Sequence, residues 1–279
     1  MQIEVAKKAG HCFGVKTAIQ KAFETARAAQ APVYTLGPII HNPQVVKVLE
    51  KEGVKAVKNL SDVSEGVIII RSHGVPPRVI DEARERGLTV VDATCPFVKR
   101  AQTLAFKLVE EGYDLVLLGD AAHPEVEGIL GTVGNVATVI SAAEQTLVLP
   151  RRRRYGVIAQ TTQSLDNLQQ VASALLGRTH ELKVFNTICN ATTALQIETR
   201  LLAERVDLML VVGGRNSANT TRLVEISRAA GVPTQHIEIA DEIEPAWLER
   251  VKRIGVTAGT STPDWIIQEI VQQLQQIGK

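Results

Sequence analysis

The chain has 279 residues, 31 Lys and Arg against 30 Asp and Glu. A net charge of +1 gives no global attraction to nucleic acid or to an anionic membrane. Hydrophobic residues make up 45% and aromatic ones 4%, so a core must rest on Ile, Val, Leu and Ala. No run of about 18 apolar residues is present to cross a bilayer, and the start MQIEVAKKAGHC lacks a signal-peptide core, so a cytoplasmic chain is expected.

Strand-like and helix-like stretches alternate along the sequence. IEVAKKA reads as a strand and 15–30 as a helix. VYTL is the next strand, NPQVVKVLEKEG a helix ending at Gly53, and VIIIRS a buried strand. PPRVIDEARERG is a helix with proline at its start and Gly87 at its end, the asymmetry that helix termini favour. TVVDAT opens a second set, followed by a helix after Cys95, the strand YDLVLLGD, a helix from Pro124, the strand YGVIAQT and a helix over 164–177. LKVFNTI opens a third set. It continues with a helix over 191–205, the strand DLMLVVGG, a helix over 217–231, the strands HIEI and RIGVTAGT, and a last helix from Pro263.

β-branched apolar strands alternating with helices predict α/β architecture with mainly parallel sheets covered on both faces. The spacing of the cysteines sharpens this. Cys12, Cys95 and Cys189 lie 83 and 94 residues apart, and His41, His123 and Ser217 follow them by 28 or 29 residues. A second polar strand end follows in each segment, at His73, at Thr161 and Thr162, and at Ser261. The expectation is three repeated small α/β units arranged pseudo-threefold around one centre. Their bounds are 13–95, 96–189 and 190–279, with the strand in 1–12 at the unit junction. Ligands in such sheets sit beyond the carboxyl ends of the strands, where each of these polar residues falls.

Each cysteine lies between a strand and a helix start, where the positive end of the helix dipole favours a thiolate. A reducing cytosol disfavours disulfides, and three cysteines cannot all pair. Zinc-ribbon CxxC pairs are absent. Thiolates also select iron–sulfur clusters, and a 4Fe–4S cluster held by three cysteines leaves one iron open as a Lewis acid. Imidazoles, hydroxyls and an amide (His41, His73, His123, Ser217, Asn219, Ser261) at helix starts make an anion site suited to a diphosphate. There is no Walker loop. Ser217 and Thr262 also fit plain N-caps, with Pro263 as the first helical residue. Glu125 is the only carboxylate so close to this polar ring and is a candidate proton donor, with Thr161 and Thr162 as relays. Its place in a first helical turn has a duller explanation in the helix dipole. His11, His180 and His236 lie outside the pattern. The run Arg151–Arg154 reads as a solvated loop before a strand, or as a contact for an acidic partner.

In order, AGHCFGV, LGPIIHNPQVV, RSHGVPP, DATCPFV, GDAAHPEVEGI, AQTTQS, NTICNATT, VVGGRNSANTTRL and TAGTSTPDW span the chain. Together they resemble the 4-hydroxy-3-methylbut-2-enyl diphosphate reductase family. The resemblance implies a central 4Fe–4S cluster on Cys12, Cys95 and Cys189. It implies diphosphate binding by His41, His73, His123, Ser217, Asn219 and Ser261, with catalysis by Glu125, Thr161 and His123, and substrate contact also from Thr161. The implied reaction is reductive removal of an allylic hydroxyl with two electrons from ferredoxin or flavodoxin and two protons, giving isopentenyl and dimethylallyl diphosphates. The implied partners are thus an allylic diphosphate and an electron carrier; the charge and hydropathy predict neither nucleic acid nor membrane, and the internal closure of the repeat predicts a monomer. His11, Leu195 and Ala218 depart from residues common in the family. A non-redox 4Fe–4S dehydratase and an iron–sulfur or zinc sensor are the alternative readings.

Overall fold

The computed structural model describes residues 1–278. The elements in order are β1 (Gln2–Val5), α1 (Phe13–Ala28), β2 (Val33–Leu36), α2 (Pro43–Lys51), β3 (Val54–Val57), β4 (Val67–Ile70), α3 (Pro77–Glu85) and β5 (Thr89–Asp92). Then follow α4 (Pro96–Glu110), β6 (Asp114–Leu118), α5 (Pro124–Thr132), β7 (Thr138–Ile140), β8 (Arg152–Ala159), α6 (Leu165–Leu176) and β9 (Thr179–Val184). The last are α7 (Asn190–Ala203), β10 (Leu208–Val212), α8 (Ala218–Ala229), β11 (Thr234–Ile237), β12 (Arg253–Ala258) and α9 (Asp264–Ile277).

The strands form three four-stranded parallel sheets, ordered β3-β2-β4-β5, β7-β6-β8-β9 and β1-β12-β10-β11. Read from the other edge, the last is β11-β10-β12-β1. In chain order each sheet is then second, first, third, fourth strand, with β1 taking the place that β5 and β9 take elsewhere. The first strand of the protein therefore completes the sheet built by its last third. Its register, Gln2 opposite Arg253 through Val5 opposite Val256, is parallel.

The central strands show why these sheets are parallel and covered. Every residue of β4 (VIII) and of β10 (LMLVV) is buried, as expected where helices shield both faces. Thr89–Asp92, expected to open a second set, instead forms the edge of the first sheet beside β4. β3 and β7 carry no sequence signal strong enough to be expected. Each has only three or four residues and is partly exposed, too short for a period to register. Helix ends follow the local code: α3 stops before Gly87, whose φ of +77° suits glycine.

The chain divides into two compact units. One comprises Met1–Lys16, His41–Val45 and the segment from Asn190 onward, and holds the β1-β12-β10-β11 sheet. The other comprises Thr17–Ile40 and Val46–Cys189 and holds the remaining two sheets.

Candidate active site

The cysteines occupy equivalent places: each follows the fourth strand of a sheet and precedes a helix. Cys95 is the N-cap of α4, with Pro96 at the first helical position. Two of the approaches are built alike. The Asp92 carboxylate accepts from the Thr94 amide at 2.8 Å, and the Asn186 side-chain oxygen accepts from the Ile188 amide at 3.1 Å. Each is an Asx turn with the cysteine next in line. The first cysteine is reached differently, through Gly10 at φ +98°.

A second regularity concerns the cysteine amides. The Cys12 N–H donates to the Thr260 carbonyl at 3.2 Å, Cys95 to Ser72 at 2.9 Å and Cys189 to Thr161 at 3.0 Å. Each acceptor lies in the loop beyond the third strand of its own sheet. Each immediately precedes or belongs to the polar set, since Ser72 is followed by His73 and Thr260 by Ser261. Every cysteine is thus pinned by its backbone to a polar loop. Nothing in the sequence signals this bond, because the donor and acceptor are main-chain atoms.

In the larger unit, Glu125 sits in the first turn of α5 and is 2% exposed. Its Oε1 accepts from the Thr161 amide at 2.6 Å and its Oε2 from the Thr161 hydroxyl at 2.7 Å. Burial pushes this carboxyl up to about 7 from its ordinary 4.5, against the opposing pull of the two Thr161 donors. His123 is the N-cap of the same helix, and its Nδ1 accepts from the Glu125 amide at 3.1 Å. An accepting Nδ1 leaves the ring proton on Nε2. His73 meets the His123 ring edge-on, centroids 5.4 Å apart at 84°. These four side chains, read from the sequence as functional, come together in one unit.

The other unit groups Cys12, His41, Ser217, Asn219 and Ser261. Ser217 is the N-cap of α8 and accepts from the Thr220 amide at 3.4 Å, so capping is part of its work. Thr262 is not a cap: its hydroxyl donates to the Val212 carbonyl at 3.0 Å. The Ser261 hydroxyl donates to the His41 carbonyl at 3.2 Å. Asn219, in the first turn of α8, is 2% exposed, and neither its side-chain oxygen nor its nitrogen has a partner among the described residues. A buried amide left this way costs roughly 1–3 kcal/mol, and its position at a helix N-terminus suits an anionic ligand.

Sequence reasoning missed three contributors. Asn42, beside His41, is buried, and its Oδ1 accepts from Val45 while its Nδ2 has no partner among the described residues. Gly213 has φ +142°, and a Cβ on Gly214 would lie 2.7 Å from the His41 carbonyl. The pair of glycines after β10 was the available signal, since only glycine lets that loop and His41 approach so closely. His11, given no role from sequence, uses Nε2 against the Ser261 carbonyl at 3.2 Å. A carbonyl only accepts, so Nε2 is the donor.

The family model described as LytB protein matches residues 3–275. The chain belongs to the LytB family. It is 53% identical over all 279 residues to a 4-hydroxy-3-methylbut-2-enyl diphosphate reductase of Pelobacter propionicus, covering 99% of that protein. It is 50% identical to one of Geotalea daltonii, covering 99% of that protein too. A solved structure of (E)-4-hydroxy-3-methyl-but-2-enyl diphosphate reductase, the terminal enzyme of the non-mevalonate pathway, shares 43% identity and a TM-score of 0.72, over 99% of this chain and 100% of that one. The reductase of Plasmodium falciparum shares 28% identity and a TM-score of 0.93, over 98% and 88% of the two chains.

Within this LytB-family chain the departures have local accounts. Leu195 is fully buried on α7 against Val211, Leu223 and Val224, so its place is in the core. Ala218 is the first residue of α8. No helix among the described residues is long and apolar enough to cross a membrane.

Proposed function

We propose that this chain reduces 4-hydroxy-3-methylbut-2-enyl diphosphate, removing its allylic hydroxyl as water to give isopentenyl and dimethylallyl diphosphates. The observation that carries the reading is the Glu125–Thr161 pair, a buried carboxyl poised near neutral pH and bonded twice to one threonine. A proton donor at neutral pH needs such a matched acidity.

Cys12, Cys95 and Cys189 fit a 4Fe–4S cluster in donor type, in their helix-start positions and in their shared backbone anchoring. When bound, that cluster supplies electrons and an open iron acting as a Lewis acid on the substrate hydroxyl. The chain's own groups do the rest. Asn219, whose amide atoms have no partner among the described residues, donates its Nδ2–H to a phosphate oxygen and recovers part of its desolvation cost on binding. Ser217, Ser261, His41, His73 and His123 are the further diphosphate ligands, with the His123 ring proton held on Nε2 for donation.

Glu125 holds the proton and Thr161 passes it. With the carboxyl ionised, the Thr161 hydroxyl donates to Oε2. With the carboxyl protonated, the carboxylic O–H donates to the Thr161 oxygen and releases the hydroxyl proton toward substrate. The Thr161 amide stays on Oε1 in both states and fixes the carboxyl plane. Electrons come from ferredoxin or flavodoxin, and the enzyme acts as a cytoplasmic monomer.

The test is anaerobic. Protein reconstituted with iron and sulfide receives reduced viologen and the hydroxymethylbutenyl diphosphate, and dye oxidation is followed with product analysis. Substrate-dependent oxidation yielding both five-carbon diphosphates is expected. No oxidation in protein carrying its full iron complement overturns the reading and favours a dehydratase or a sensor.

A further inference from the structure

The run of four arginines at 151–154 has no part in this chemistry, and the fold gives it a defined setting. Arg151, Arg152 and Arg153 line an open groove with Gly177, Arg178 and His180. The groove lies at the amino ends of β8 and β9, which start at Arg152 and Thr179. Thr161 lies beyond the other end of β8. Eight strand residues at about 3.3 Å each put roughly 25 Å between them.

Beside the arginines stand three aliphatic side chains in water: Leu147 is 68% exposed, Val148 86% and Leu176 64%. Arg178 ties the two turns that carry them together. Its Nη1 donates to the Leu149 carbonyl at 2.7 Å and its Nη2 to the Leu147 carbonyl at 2.5 Å. Leu147 and Val148 end a short 3-10 helix that spans Ala143–Val148, and Leu176 ends α6. The acids nearby are already engaged, Asp114 by Arg152 and Glu181 by Arg154. Arg151 and Arg153 have no carboxylate within ion-pair distance among the described residues, although the charge of Arg153 is felt at Glu181.

We propose that this patch docks the protein onto an anionic lipid surface, with Leu147 and Val148 entering the headgroup region and Arg151, Arg153 and Arg178 facing lipid phosphates. Apolar tips flanked by cations bind an interface through buried area plus attraction to anionic lipid. A partner protein fits less well, because such interfaces centre on anchors seated in well-packed pockets, and here the groove is open and the apolar residues are exposed aliphatic tips. The net charge of +1 conceals the patch, because Asp114 and Glu181 offset Arg152 and Arg154 but leave Arg151 and Arg153 without an ion-pair partner among the described residues. Docking at this end leaves the strand ends that carry Glu125 and Thr161 untouched.

The full-length protein is sedimented with vesicles of phosphatidylglycerol and phosphatidylcholine, and with phosphatidylcholine alone. Binding is expected only with the anionic vesicles and is expected to weaken as salt rises. The double variant Arg151→Glu/Arg153→Glu should lower the partition coefficient roughly tenfold or more, and Val148→Asp should also lower it. Viologen-driven turnover and circular dichroism should stay at wild-type levels in all of them. Arg151→Lys/Arg153→Lys should bind as the wild type does, because a bilayer reads charge. A phosphate-specific pocket would instead lose the bidentate arginine fork. Equal sedimentation with and without anionic lipid overturns the proposal. So does loss of binding in the lysine variant, or displacement from vesicles by stoichiometric inorganic diphosphate, either of which identifies a small-anion site. Binding that survives charge reversal overturns it as well.

Discussion

Thr161 joins Cys189 to Glu125. Its carbonyl accepts from the Cys189 amide at 3.0 Å, while its own amide and hydroxyl donate to the two Glu125 carboxyl oxygens at 2.6 and 2.7 Å. One residue therefore fixes the backbone of a proposed cluster ligand and opposes the rise that burial imposes on a proposed proton donor.

Thr161→Val removes the hydroxyl donor and keeps the shape. A donor to a carboxylate favours its ionised form, so the variant should titrate Glu125 above its present value of about 7. The carboxyl stretch followed by infrared spectroscopy against pH reads this directly. Thr161→Ser, which retains the hydroxyl, should restore the wild-type titration.

Glu125→Gln should retain iron content and diphosphate affinity while turnover falls about 10²–10⁴-fold. Single-turnover measurement with reduced enzyme checks it. Near-normal turnover would remove Glu125 from the mechanism.

The same carboxyl makes stability depend on pH. Its folded value of about 7 lies above its unfolded 4.5, so between these values the folded state binds more protons than the unfolded one. The contribution is fully present below pH 4.5 and is lost as pH rises through about 7. That rise corresponds to roughly 3 kcal/mol. Denaturant titrations across this window should show this fall in the wild type and its absence in Glu125→Gln.

Asn219→Ala should separate affinity from stability. The buried amide lacks partners in the protein, so its removal should leave the melting temperature unchanged or higher. Binding of inorganic diphosphate by calorimetry should weaken by about 1–3 kcal/mol. A large loss of stability with unchanged binding would make Asn219 structural.

Gly214→Ala forces a Cβ to within 2.7 Å of the His41 carbonyl, the same oxygen that accepts from Ser261. Displacing it should cost about 1–3 kcal/mol in stability and weaken diphosphate binding together with it. Thermal denaturation and calorimetry on one sample test the pairing.

Local chemistry alone made much of this protein legible. Unbroken apolar strands such as VIII and LMLVV must lie between two covering layers, and regular spacing of cysteines and polar strand ends announces a repeat. The Asx turns before Cys95 and Cys189 were also within reach, since an acid or amide three residues before the cysteine is a local signal. What the sequence could not determine depends on atoms with no side-chain signature or on neighbours distant in the chain. β1 completes a sheet with β12 because a free parallel edge lies there, some 250 residues away. The acidity of Glu125 follows from burial, and burial is a property of the packed molecule. The bond from each cysteine amide to a loop carbonyl exists only once the third and fourth strands of a sheet lie side by side, so it was decided by tertiary structure alone.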